Sequence, residues 1–217
     1  MVLTYQFSCL RSSFVAGLSP TEQGEKLKNL PEIYIMRHGE TIWNRTGRWQ
    51  GSLDSELTVK GKAQATSMGE ALRLAGVSSA THLALTSPQG RAEATAKRAL
   101  QPLGLVAEFC DDLREIEIGE WTGLTLEDMQ AGWPDLEVKD WLDVYAKAPG
   151  GEGFEAVWER VGRVLEMLKK PTVLVTHGIT SRILRTRAMG LGLEDLTKLP
   201  GGQGVIQHIR DGVHRTI

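Results

Sequence analysis

The sequence predicts an α/β protein, a three-layer α/β/α sandwich around a mostly parallel sheet. Three observations carry this. From Glu32 onward, short apolar runs alternate with amphipathic segments in the order β, α, β, α, β, the pattern of helices packed on a largely parallel sheet. The run TVLVT (172–176) is apolar throughout, as a central strand covered on both faces must be. The tail GVIQHIRDGVHRTI alternates around Asp211 and Gly212, a hairpin signal that adds two antiparallel strands.

In chain order, EIYIM (32–36) is the first strand, and a polar loop follows it. A helix begins near Thr58, whose hydroxyl suits the N-cap, with Met68, Ala71, Leu72 and Ala75 as its buried stripe. HLALT (82–86) is the second strand. Ser87 and Pro88 then offer an N-cap and an N1 proline for a helix through Leu100. LVAEFC (105–110) reads as the third strand. Residues 111–152 are irregular, rich in Trp, Gly, Pro and acidic residues, with one short helix expected over 125–131, and are expected to form a lid or wall of the site. Phe154, Val157, Trp158, Val161, Val164, Leu165 and Leu168 trace one face of the next helix, which Pro171 ends. A last helix is expected from Thr180 to Met189.

Residues 1–30 lack this periodicity, and LSPTEQGEKLKN is turn-rich and polar. They are expected to be a mobile N-terminal extension to one domain spanning 31–217. Gln6, Ser8, Arg11, Ser12 and Ser13 interrupt any apolar core of a secretory signal. No run approaches the ~18 apolar residues of a spanning helix. A net charge of −2 gives no general field for nucleic acid or membrane surfaces, so neither is expected as a partner. Cys9 and Cys110 form no disulfide framework or metal-ligand spacing, which favours a reducing, cytoplasmic setting. No coiled coil or edge-pairing segment announces an oligomeric partner.

The chemistry gathers at two strand ends. Arg37, His38 and Gly39 follow IYIM, and His177 and Gly178 follow VLVT. In open α/β sheets ligands bind beyond the carboxyl ends of strands, and a glycine after each histidine would let the backbone turn and approach a ligand. His82, His208 and His214 lack this context and read as strand-edge or surface residues.

The first motif continues as R-H-G-E-T-I-W-N and then G-R-W-Q-G-S-L-D-S-E-L-T-V-K-G, from Gly47 to Gly61. It is joined by S-P-x-x-R-A-x-x-T-A (Ser87–Ala96), L-R-E-x-x-x-G-x-W-x-G (Leu113–Gly123) and T-H-G (Thr176–Gly178). In this order the four segments resemble the histidine phosphatase superfamily, also called the phosphoglycerate mutase-like family, over residues 32–210. Q-G before Arg91, Ile179 after T-H-G and Gly153 after G-G-E depart from its pattern.

The resemblance implies a phosphoglycerate mutase-like fold and phosphoryl transfer without a metal or other cofactor. It makes His38 the nucleophile, suited because a neutral imidazole is abundant near pH 7. A carbonyl holding its Nδ1 proton would leave Nε2 free. Phosphoryl transfer asks mainly for positioning and charge stabilisation. Arg37 and Arg91 are therefore expected to grip phosphate with guanidinium forks, His177 to add a third cationic donor, and Asn44 and Gln50 to add neutral contacts. Glu115 is implied as the acid that protonates the leaving group, with Glu117 its rival by spacing.

The substrate is expected to be a small organic phosphate monoester, hydrolysed. Cofactor-dependent phosphoglycerate mutases carry paired arginines in an insertion after the acid motif. Between Gly119 and Gly150 this chain has Lys139, Lys147, many acids and three tryptophans but no arginine. Mutase transfer is thus the alternative, and an inactive phosphate-binding regulatory protein is a reading of another class. A metal site of His38, His177 and a carboxylate is opposed by Arg37 and Arg91, which would repel a divalent cation.

Overall fold

The computed structural model describes residues 30–217. The expected extension over 1–30 lies, but for Leu30, outside the described residues. The strands are β1 (Ile33–Arg37), β2 (Leu83–Thr86), β3 (Glu108–Phe109), β4 (Thr172–Thr176), β5 (Ile206–Arg210) and β6 (Val213–Thr216). They form one sheet in the order β3-β2-β4-β1-β5-β6. The β3-β2, β2-β4 and β4-β1 pairings are parallel, and β1-β5 and β5-β6 are antiparallel. This is the expected mostly parallel sheet with a closing hairpin, whose turn places Asp211 and Gly212 at positive φ.

Alternation along β1 and β4 divides the interior into two layers. Ile33, Ile35 and Leu174 face a core completed by helices α6 (Phe154–Met167) and α7 (Gly178–Ala188), through Val157, Val161 and Ile183. Tyr34, Met36, Val173 and Val175 face the other core, built with α2 (Val59–Leu74) and α3 (Gly90–Leu100) through Met68, Leu72, Ala92 and Ala96. The expected stripe on α2 holds at Met68 and Leu72, whereas Ala75 is exposed at the helix C-cap. Thr58 is the N-cap, accepting from Gly61 N at 2.9 Å.

Several boundaries differ from expectation. Ser87 does not cap α3; Gln89 takes the N-cap position without a side-chain bond. The first turn is capped from elsewhere in the chain, because Asp54 accepts from Gly90 N at 2.7 Å and Arg91 N at 3.2 Å. The third strand shrinks to two residues because it is an edge paired only with Leu85 and Thr86, leaving Val106 outside and exposed. The last helix starts at Gly178, two residues early, directly against His177. In the irregular region, α4 (Leu126–Gly132) matches the expected short helix. A second one, α5 (Trp141–Ala146), is new and is capped by Asp140, which accepts from Leu142 N and Asp143 N. A four-residue helix, α1 (Ile42–Arg45), opens the loop after β1 with a Thr41 capping box.

Candidate active site

β1 and β4 are adjacent and parallel, with Arg37 opposite Thr176, so both motifs leave the sheet at one place. His38 N donates to Thr176 O at 2.9 Å, and the rings of His38 and His177 lie 5.2 Å apart. Gly39 follows His38 for a packing reason rather than a turn. It has no positive φ, but a methyl there would collide with the backbone of Gly61 in the first turn of α2. At Gly178 no such collision arises, since a Cβ there would sit at ordinary contact distance, 3.4 Å from Arg37 Cζ and 3.5 Å from Glu115 Oε2.

His38 is 2% exposed, and its Nδ1 lies 2.8 Å from Gly39 O. A carbonyl can only accept, so Nδ1 carries the proton and Nε2 keeps its lone pair. Burial, and then the charges of Arg37 and Arg91, hold its pKa well below the ordinary histidine value. The ring is therefore neutral near pH 7.

His177 is fully buried, and its environment corrects the expectation of a third cation. Arg91 Nε donates to its Nδ1 at 3.1 Å, so the proton sits on Nε2, 2.8 Å from Ser87 Oγ. Burial, Arg91 and His38 lower its pKa well below the usual value, and the ring is a neutral donor.

Arg91 is also more constrained than a free fork. Beyond His177, its Nη1 donates to Leu53 O and Asp54 Oδ1, both at 2.7 Å, and its Nη2 to Gly51 O at 2.9 Å. Among the described residues, one of its five N–H groups, on Nη2, stays uncommitted. Arg37 is the opposite case: among the described residues its guanidinium has no ion pair, and its buried Nε has no hydrogen-bond partner.

Glu115 is 8% exposed and closes the group. Its Oε1 accepts from Ile116 N and Thr180 N, each at 3.1 Å, and its Oε2 from Ile179 N at 3.3 Å. Two of these donors belong to the first turn of α7. Glu117, the rival, is exposed and turns its backbone N–H toward Glu152.

A cavity of about 330 Å³ joins these groups, lined by Arg37, His38, Asn44, Gln50, Arg91 and Glu115. His177 stands behind it, holding Arg91. Asn44 Oδ1 is used by Thr41 N and Gln203 Nε2, which leaves the Asn44 Nδ2 donor free. Gln50 is nearly buried, and its Oε1 meets no donor among the described residues. Among the described residues no three His, Cys, Asp or Glu side chains gather as a metal-holding group.

The family profile described as histidine phosphatase superfamily (branch 1) matches residues 33–212. The chain belongs to the histidine phosphatase superfamily. A Salmonella paratyphi B relative named "Probable phosphoglycerate mutase GpmB" is 34% identical over 168 residues, 74% of this chain and 75% of its own. Among superfamily structures, the alpha-ribazole phosphatase from Shigella flexneri superposes with a TM-score of 0.72 at 27% identity, covering 82% of this chain and 90% of its own. Mycobacterial glucosyl-3-phosphoglycerate phosphatase gives a TM-score of 0.71 at 28% identity, over 86% of this chain and 96% of its own.

Within this superfamily site, several residues escaped the sequence reading. Trp49, Trp141 and Tyr145 wall the cavity, with the Trp49 and Tyr145 rings edge to face at 5.0 Å. Burial, and then the charge of Glu115, push the Tyr145 pKa up, so its phenol keeps its proton. Gln89, a departure from the family pattern, bridges the site: its Oε1 accepts from Glu115 N at 2.8 Å and its Nε2 donates to Gly51 O at 2.9 Å. That departure was the one available signal. Asp54 had none, because its partners lie 36 and 37 residues away.

Proposed function

We propose that this protein is a phosphatase that hydrolyses a small organic phosphate monoester through a phosphohistidine at His38. One observation carries the reading: a neutral His38 with its Nε2 free borders the same cavity as the unpaired guanidinium of Arg37 and the carboxyl of Glu115. In the first step His38 Nε2 bonds to phosphorus, the P–O bond to the organic group breaks, and Glu115 gives that oxygen its proton. In the second, Glu115 takes a proton from water, whose oxygen bonds to phosphorus and displaces His38 as inorganic phosphate leaves. Arg37, the remaining Nη2 proton of Arg91 and the Asn44 amide would stabilise the equatorial oxygens. His177 would act indirectly, by holding Arg91 through its Nδ1. The net charge of −2 favours a small-molecule substrate over nucleic acid or a membrane.

Hydrolysis is favoured over mutase transfer because the segment from Gly119 to Gly150 supplies Trp141 and Tyr145 to the cavity and holds no arginine. Phosphatases among the similar structures agree with it. The mutase name of the Salmonella relative motivates the second reading. The test is metal-free phosphate release from a panel of monoesters, with acid quench to trap an acid-labile, base-stable phosphoenzyme. Release with a trapped phosphoenzyme is expected. Phosphoglycerate isomerisation that depends on bisphosphoglycerate and outruns hydrolysis would replace this reading with the mutase one.

A further inference from the structure

Beside the catalytic cavity lies a second, of about 190 Å³, whose lining includes Arg37, Arg182 and Arg185 and no aspartate or glutamate. Three arginines of the described chain are more than nine-tenths buried: Arg91, Arg160 and Arg185. Arg91 is paired with Asp54 and Arg160 with Glu152, each at 2.7 Å. Arg185 has no carboxylate partner among the described residues. Its Nε and Nη1 donate to the carbonyls of Ser181 and Pro200, Nη1 also lies 3.3 Å from His214 Nε2, and Nη2 has no partner among the described residues.

Arg182, one helical turn away on α7, rests over the Trp141 ring at 4.9 Å and uses only Nη1, on Leu196 O and Leu199 O. Among the described residues its Nε and Nη2 are uncommitted. The like charges stand close enough to act on one another. Burial and Arg182 bring the pKa of Arg185 down to about 10, and burial and Arg37 lower that of Arg182.

A buried charge is costly unless a counter-ion or a full set of hydrogen bonds accompanies it. Here three guanidinium groups converge on a space without one, and the free N–H groups suit the paired oxygens of a carboxylate or phosphate. The two cavities share Arg37, Trp141 and Tyr145 in their linings, so one molecule can reach both. We infer that the smaller cavity is a second anion subsite, and that the substrate carries a further carboxylate or phosphate group, bound by Arg182 and Arg185, beyond the phosphate that is cleaved. This rests on reading the larger cavity as the phosphate pocket.

The test is calorimetric binding to the full-length His38→Ala protein, which separates affinity from turnover. One arm compares 3-phosphoglycerate with glycerol 3-phosphate, which differ in a carboxylate. The other compares fructose 1,6-bisphosphate with fructose 6-phosphate, which differ in a phosphate. At least a tenfold preference for the more anionic ligand is expected in one arm. Adding Arg185→Met should abolish it and Arg185→Lys should keep part of it, with circular dichroism and melting checking that each variant folds. If Arg185→Met does not fold, Arg182→Met on the same pair gives the decision. No preference in either arm, or one that survives loss of the arginine, overturns the subsite. Wild-type hydrolysis of p-nitrophenyl phosphate, which has no second anion, tests the phosphatase reading separately.

Discussion

Two histidine pairs mark opposite edges of the sheet, and they are built in opposite ways. At the carboxyl ends of β1 and β4, His38 and His177 face Arg37 and Arg91, and burial among cations keeps both rings neutral. Toward the amino end of β1, His82 and His208 gather on Glu32. His208 Nε2 is 2.7 Å from Glu32 Oε1, Tyr34 donates to the same oxygen at 3.0 Å, and the Tyr34 and His208 rings stack at 4.5 Å. Burial alone would raise the Glu32 pKa, but the bonds from His208 and Tyr34 outweigh it and leave the net value lowered. At the amino edge the Glu32 carboxylate is satisfied by His208 and Tyr34, and the one buried atom left over among these side chains is His82 Nε2, which meets no hydrogen-bond partner among the described residues. The carboxyl edge keeps donors and a lone pair in reserve, and such incompleteness is what a binding site requires.

The largest effect should come from breaking the reactive pair. His38→Ala is expected to lower kcat by more than about 10³, while His208→Ala stays within a few-fold, both read by phosphate release. An equal loss in the two would erase the contrast between the edges. Next, Arg37→Met should cost about 10² to 10³ in kcat/KM, the scale of losing a charge stabiliser of the transition state. The matching change at the other edge, Arg210→Met, should leave turnover near wild type.

Glu32→Gln tests the opposite side of the comparison. It should reduce stability to urea by about 1–3 kcal/mol, with turnover per folded molecule unchanged. Acid should then separate the edges. His38 and His177 have folded pKa values below the unfolded ~6.5, so the unfolded chain binds protons that the folded one refuses. Stability is greatest above that pH and falls as pH drops below ~6.5, by up to about 1.4 kcal/mol per pH unit for each ring. His82, also lowered by burial, adds to this phase. Glu32, lowered in the fold, contributes stability above its unfolded value near ~4.3 that is lost as pH falls further. Urea midpoints from pH 8 to 3 should therefore show two phases, and Glu32→Gln should shrink the lower one, to which Asp128, Asp143 and Asp195, also lowered by their hydrogen bonds, contribute as well.

What the sequence disclosed follows the range over which each feature is determined. β1, β4 and the hairpin were legible because apolar runs and an Asp-Gly turn are local signals. The polar residues Arg37, His38, Asn44, Gln50, Arg91 and Glu115 in the lining of the larger cavity, and His177 behind it, are legible too, since strand-end motifs report which side chains meet. Their hydrogen-bond states were not legible. Arg91 reads as a free fork until Asp54, Leu53 and Gly51, about forty residues earlier, are seen to occupy it. His177 reads as a cation until Arg91 takes its Nδ1. Helix α5 could have been found from Asp140, a good N-cap, but its acidic surroundings masked the apolar face that carries Tyr145. Arg182 and Arg185 read as ordinary positions of an amphipathic helix, because a missing counter-ion shows only in three dimensions.

The pairing of Arg37 with Thr176 has a wider consequence. Since the two imidazoles issue from neighbouring strands, backbone hydrogen bonding acts as the ruler between them, and interstrand spacing is nearly invariant at about 4.8 Å. The loops above can lengthen, shorten or change their aromatic residues without disturbing that measure. Such a scaffold is free to exchange one leaving group for another while its reacting atoms stay in place.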